Sequence, residues 1–231
     1  MFSFFLPKAQ PEAENPEPVT KAEGTLDFLW ELMKVVIISL AIILPVRYFL
    51  VQPFYVNGAS MEPTYFESDY LIVDELSYRF EEPERGTVII FKCSSPACGA
   101  SRGSHLIKRV VGLPGEHLEL RRGLLFIQNA ARPEGFYLDE RPYLTRGIYE
   151  HDVVSVDLGS DEYFVMGDNR CVSFASEDFG PIKRSWIVGR AWIRGWPFTK
   201  AGFIESPTYT LLPPTTDEAP LRKQNCIDYY Q

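Results

Sequence analysis

Leu106-Ile107-Lys108-Arg109-Val110-Val111-Gly112-Leu113-Pro114-Gly115 is a run of β-branched and apolar residues closed by a Gly-Leu-Pro-Gly turn. This is the pattern of a strand leading into a tight connection. Side chains alternate along a strand, so Lys108 shares a face with Leu106 and Val110, while Arg109 points the other way with Ile107 and Val111. An apolar face is where a lysine loses its charge. Its ammonium normally titrates near ~10.4, and burial lowers this by up to about 3 to 5 units. Lys108 is therefore a candidate general base. The alternative is a lysine whose stem packs while its head reaches solvent.

Working outward, further strands are predicted at Tyr70-Val73, Thr87-Lys92, His105-Val111, His117-Leu120, Leu124-Gln128, Tyr163-Met166 and Ile187-Ile193, separated by Gly, Pro and Asp turns. The chain reads as mainly β, without internal repeats. Its 231 residues, 45% hydrophobic and 23% charged, suffice for one sizeable core or one core with an appendage. A net charge of -8 argues against nucleic acid as a partner, because polyanion binding rests on clustered Lys and Arg.

Upstream of the strands, Phe28 to Val51 is strongly apolar. Its uncharged part, Val35 to Val46, reaches only about 18 Å as a helix, short of a hydrocarbon core of roughly 30 Å. Extension to Leu29, Trp30, Leu32 and Met33 on one side and to Tyr48-Val51 on the other gives enough length. Lys34 and Arg47 then snorkel to the two interfaces, and Trp30 and Tyr48 sit at headgroup level. A buried core helix would show a polar stripe, which Val35 to Leu44 lacks, although Pro45 is expected to bend the helix. A cleaved secretory signal would carry a small-x-small cleavage site, and no clear one follows. A retained transmembrane signal anchor is predicted over 26–51.

Lys21 and Lys34 lie on the N-terminal side, and after Arg47 no Lys or Arg occurs until Arg79. This asymmetry places the N-terminus inside and the following domain on the extracytoplasmic side of the cell membrane. The Pro- and Glu-rich residues within 1–25 read as a disordered cytoplasmic tether. A peptidase-sized β domain is expected over 52–204, and 205–231 reads as a disordered tail.

Two further motifs carry chemistry. Gly58-Ala59-Ser60-Met61-Glu62-Pro63-Thr64 sets Ser60 behind two small residues that allow a close backbone approach, with Pro63 limiting any helix there. A serine on such a turn presents its hydroxyl and its backbone N–H to a carbonyl, as nucleophilic acyl transfer requires. Small-Ser-hydrophobic turns are common, so Ser60 gains weight only beside Lys108. The second motif, Met166-Gly167-Asp168-Asn169-Arg170, follows a strand-like run and precedes Ser173 and Phe179-Gly180-Pro181. It is either a plain turn or a loop in which Asp168 partners Arg109 and Ser173 hydrogen-bonds Lys108.

These blocks together resemble the bacterial type I signal peptidases. The likeness covers roughly Gln52 to Trp196, in collinear blocks at Gly58-Thr64, Arg85-Gly86 through Gly115, and Gly167-Gly180. It implies Ser60 as nucleophile, Lys108 as base, Ser173 as the serine that orients the lysine, and Asp168 with Arg109 as a structural ion pair. Met61 matches a motif position beside the substrate groove. The implied fold is a β catalytic core behind a transmembrane helix, with a small β insertion within about 117–161. The implied activity is cleavage of signal peptides from exported preproteins at a membrane, with no cofactor and no metal.

The chain departs from the family in that Gly58 stands where some members carry an oxyanion-hole hydroxyl. Where the family usually continues with Asp-Asn-Ser-x-Asp-Ser-Arg, this chain has Cys171-Val172-Ser173-Phe174-Ala175-Ser176-Glu177. Ala175 and Glu177 thus replace an acid and an arginine. This leaves a rival reading, an anchored β domain that binds signal peptides without cutting them.

Cys93 and Cys98 flank a Ser-Ser-Pro-Ala turn where a disulfide can persist, worth roughly 2 kcal/mol. Cys171 and Cys226 show no evident partners. His105, His117 and His151 are scattered, which disfavours a Ser-His-Asp triad.

Overall fold

Valine, isoleucine and phenylalanine on alternating, turn-bounded runs build two β-sheets in the computed structural model, which describes residues 21–49, 51–121, 124–144 and 154–214. The first sheet has the order β1-β2-β11-β3-β4-β9-β10, with β12 paired to β11. Its strands are β1 (Val51–Tyr55), β2 (Tyr70–Asp74), β3 (Val88–Lys92), β4 (His105–Gly112), β9 (Glu162–Met166), β10 (Ile182–Lys183), β11 (Ile187–Trp196) and β12 (Gly202–Phe203). The second has the order β13-β7-β6-β5-β8, from β5 (His117–Arg121), β6 (Leu124–Asn129), β7 (Arg132–Leu138), β8 (Val154–Asp157) and β13 (Leu211–Leu212). Every pairing is antiparallel.

The strand carrying Lys108, β4, is central. It pairs with β3 on one side, Lys108 opposite Ile89, and with β9 on the other, Arg109 opposite Met166. Its two faces feed separate cores. Val110 packs with Ile89, Phe91, Val165 and Phe179, whereas Val111 packs with Leu118, Ile127, Phe164 and Met166 of the second sheet. A third cluster, around Val56, Met61, Tyr65, Leu71 and Ile90, supports the Ser60 turn. Burying these side chains contributes about 1.5 to 3 kcal/mol each.

Two expectations need correction. The anchor reading ran to Val51, but Val51 already pairs with Asp74 in β1. The tail from 205 is not structureless throughout. Tyr209 packs against the second core, Asp139 N–H donates to Thr210 O at 3.1 Å, and β13 pairs with β7. Edge hydrogen bonding and one partly buried ring order a segment whose sequence shows no periodicity. The rest of the predicted tail, from 215, and the predicted tether through residue 20 lie outside the described residues.

The N-terminal helix α1 (Lys21–Phe49) belongs, as far as Pro45, to a compact unit separate from the rest of the chain. Its described apolar side chains are exposed from Phe28 to Leu44. Among the described residues, no helix is long and apolar enough to cross a membrane. The stretch 27–44 of α1 carries Asp27, Glu31 and Lys34, the last two joined in an exposed ion pair.

Candidate active site

Ser60 lies on a turn held at both ends. Gly58 has φ +86, a conformation that a side chain at this position would strain. Glu62 N–H donates to Ala59 O at 3.2 Å, and Tyr65 N–H to Met61 O at 2.9 Å. The loop after β9 grips the same turn: Asn169 N–H donates to Ser60 O at 3.0 Å and Asn169 Nδ2 to Ala59 O at 3.1 Å. Gly167 makes this approach possible. A Cβ there would lie 2.4 Å from Ser60 O and 2.1 Å from Ser173 Oγ.

Lys108 is 3% exposed, and its Nζ donates to Ser60 Oγ and to Ile107 O, each at 2.9 Å. Burial pulls its pKa down to about 8, opposed by the negative charges of Glu177 and Asp168. A useful fraction of Lys108 is thus a free amine near neutral pH, with its nitrogen already on the serine hydroxyl.

Arg109 points to the other face. Its Nε and NH2 donate to the two oxygens of Asp168 at 2.8 and 2.5 Å, its NH1 donates to Gly86 O at 2.7 Å, and its guanidinium lies 4.2 Å above the Tyr143 ring. Thr64 Oγ1 also donates to Asp168, at 2.5 Å. The pair therefore clamps the Ser60 turn, the Lys108 strand and the 167–170 loop together.

The structure does not bring every candidate to the chemistry. Ser173 Oγ is buried without a hydrogen-bond partner, so no bond links it to Lys108. Met61 is fully buried in the cluster beneath the turn and does not line the cleft beside Ser60. That cleft, about 90 Å³, is bounded by Phe54, Val56, Leu71, Ile90 and Ile107.

Sequence reading missed a second buried ion pair. Arg170 NH1 and NH2 donate to Glu140 at 3.1 and 2.5 Å, both side chains are almost fully buried, and Tyr143 OH also donates to Glu140. Arg170 stood in a quoted motif, but Glu140 lies in a stretch without a periodic pattern. The cysteine readings resolve unequally. Cys93 and Cys98 form a disulfide between β3 and β4, and Cys171 is disulfide-bonded too, contrary to its reading as partnerless. Cys226 lies outside the described residues. Among the described residues, no cluster of His, Cys, Asp and Glu could hold a metal ion.

The sequence matches the family profile "Signal peptidase, peptidase S26" over residues 29–196. It is 32% identical over 189 residues to the probable signal peptidase I-2 of Synechocystis sp., covering 81% of this chain and 83% of that protein. To the signal peptidase I of Leptolyngbya laminosa it is 33% identical over 207 residues, covering 87% and 93%. A crystal structure of a signal peptidase I from Enterococcus faecalis overlaps 48% of this chain and 97% of that one, at 27% identity and a TM-score of 0.38. With a profile match across most of its length and relatives at this identity, the chain belongs to the signal peptidase family, peptidase S26, and is a serine peptidase.

Proposed function

We propose that this chain is a membrane-anchored signal peptidase that cuts N-terminal signal peptides from exported preproteins, with Ser60 as nucleophile and Lys108 as base. The observation that carries this reading is the buried Lys108 Nζ at 2.9 Å from Ser60 Oγ. Ser60 Oγ attacks the scissile carbonyl as its proton passes to Lys108, and the lysine returns that proton to the leaving amine as the C–N bond breaks. Water, deprotonated by the same lysine, then resolves the acyl-enzyme. The Ser60 N–H is a donor for the oxyanion, and Gly58 has no side chain to add one.

The small volume of the cleft beside Ser60 suits alanine-sized side chains at the first and third positions before the cut. A peptide lying extended between 54–57 and 105–108 would present them. The solvent-facing apolar side chains of α1 support an anchor. So does a rim of exposed Trp196, Phe198 and Phe203 on and beside β11 and β12, since aromatic rings favour the headgroup level. Similarity to the signal peptidases named above supports a catalytic domain on the exported side of that membrane.

The test is cleavage of a purified preprotein by the intact chain, by Ser60→Ala and by Lys108→Ala. Both variants are expected to lose essentially all activity, because a nucleophile and its base act as a unit. Near-parental cleavage by either removes the dyad. Replacing either alanine before the cut with a bulky residue is expected to slow the parent strongly. A parent that binds the preprotein without cutting it supports the binding-only reading.

A further inference from the structure

Behind the base lies an acid without a partner. Glu177 belongs to a short helix, α2 (Ser176–Phe179). That helix is tied to β9 where Ser176 Oγ accepts from Val165 N–H at 3.0 Å. Val165 pairs with Val110, which shares the Lys108 face of β4. Both Glu177 carboxylate oxygens are buried and neither makes a hydrogen bond to another residue. A buried polar group in that state costs free energy, which a merely structural residue does not require.

The neighbouring charges are already matched. Arg109 holds Asp168, Glu140 holds Arg170, and Asp178 accepts from Ala175 N–H at 2.9 Å. Of the two cations that Glu177 faces, Arg170 and Lys108, only Lys108 is not taken up by another acid.

During acylation a positive charge appears on Lys108 Nζ when it takes the Ser60 proton, and it disappears when that proton passes to the leaving amine. We propose that Glu177 is a positioning residue that acts through Lys108, its carboxylate stabilising the ammonium formed as Ser60 attacks. This is the electrostatic part that an aspartate plays behind a histidine base. It rests on the Ser60–Lys108 reading above.

The titrations agree in sign. Burial lifts the Glu177 carboxyl to about 7, opposed by its own backbone N–H, then by Arg170 and Lys108, with Asp178 reinforcing. Glu177, and after it Asp168, holds Lys108 above where burial alone would leave it. Removing the carboxylate therefore lowers the titration of the lysine and makes it a weaker base.

The experiment measures kcat/KM for preprotein cleavage by the full chain in detergent, across a pH range that brackets both titrations, in the parent, Glu177→Gln and Glu177→Leu. The acid limb of the profile is expected to move down by about one pH unit. The plateau above it should fall about ten-fold, as a weaker base gives a slower proton transfer. Melting temperatures at the plateau pH should equal or exceed that of the parent, because the unpartnered carboxylate is gone. An acid limb that stays in place or moves up overturns the proposal, as does a lowered melting temperature with an unmoved limb. If Glu177→Gln fails to fold, Glu177→Leu carries the same expectations with no polar group in the pocket. Near-parental cleavage by Ser60→Ala or Lys108→Ala fells the dyad and Glu177 with it. Two inert alanine variants beside an unmoved limb remove Glu177 alone.

Discussion

Arg109 and Asp168 show what a single pair of side chains can decide. Their side chains are 3% and 0% exposed, and their double hydrogen bond ties β4 to the 167–170 loop. Removing one partner strands a buried charge, so Asp168→Asn and Arg109→Gln are each expected to destabilise by about 3 to 5 kcal/mol. The double mutant should lose clearly less than the sum, which denaturant melts of all four proteins would measure. Additive losses would show that the two act independently. The pairing of Lys108 with Arg109 on opposite faces was legible from strand alternation alone, because that period is geometric. The Glu140–Arg170 pair was not, since its members lie thirty residues apart and meet only through the second sheet and its loop. The lack of hydrogen-bond partners at Ser173 Oγ and the Glu177 carboxylate oxygens also has no sequence signature, because satisfaction of a polar group depends on everything packed around it.

Among the secondary elements, strands with apolar alternation were readable and those held by their neighbours were not. Arg132-Pro133-Glu134-Gly135 looks like a turn, yet it opens β7 through pairing with β6, and Gly135 takes φ +78 against the Phe126 ring. The two-residue β13 depends on Tyr209, whose ring meets the Tyr143 ring edge-on at 6.0 Å and closes over Gly86. Tyr209→Ala is expected to cost about 2 to 4 kcal/mol through lost burial and a residual cavity. It should also raise amide exchange in β13 and β7 before it affects β3 or β4. A melt within about half a kcal/mol of the parent, as for an ordinary surface substitution, would return this segment to the status of a loose tail. The Cys93–Cys98 bridge works at the same scale, closing the connection that delivers β4 to the site.

For the molecule as a whole, the prediction concerns sidedness. On the proposed reading of α1 as an anchor with its N-terminal side inside, protease added outside intact cells or spheroplasts should digest the β domain and spare the segment before Phe28. Protection of the β domain would invert the topology and make processing of exported chains untenable. By itself the sequence determined the β character, the strand with Lys108 and Arg109 on opposite faces, and the motifs around Ser60 and Lys108, because alternation, turn chemistry and short motifs are local properties. Only the tertiary structure decided which of those residues meet. Lys108 bonds Ser60 rather than Ser173, Met61 sinks into the core, the segment around Tyr209 joins a sheet, and the Glu177 carboxylate is buried without a hydrogen bond to another residue. The physical reason is that contact, burial and charge compensation belong to groups far apart in the chain, and their energies exist only once the chain has brought those groups together.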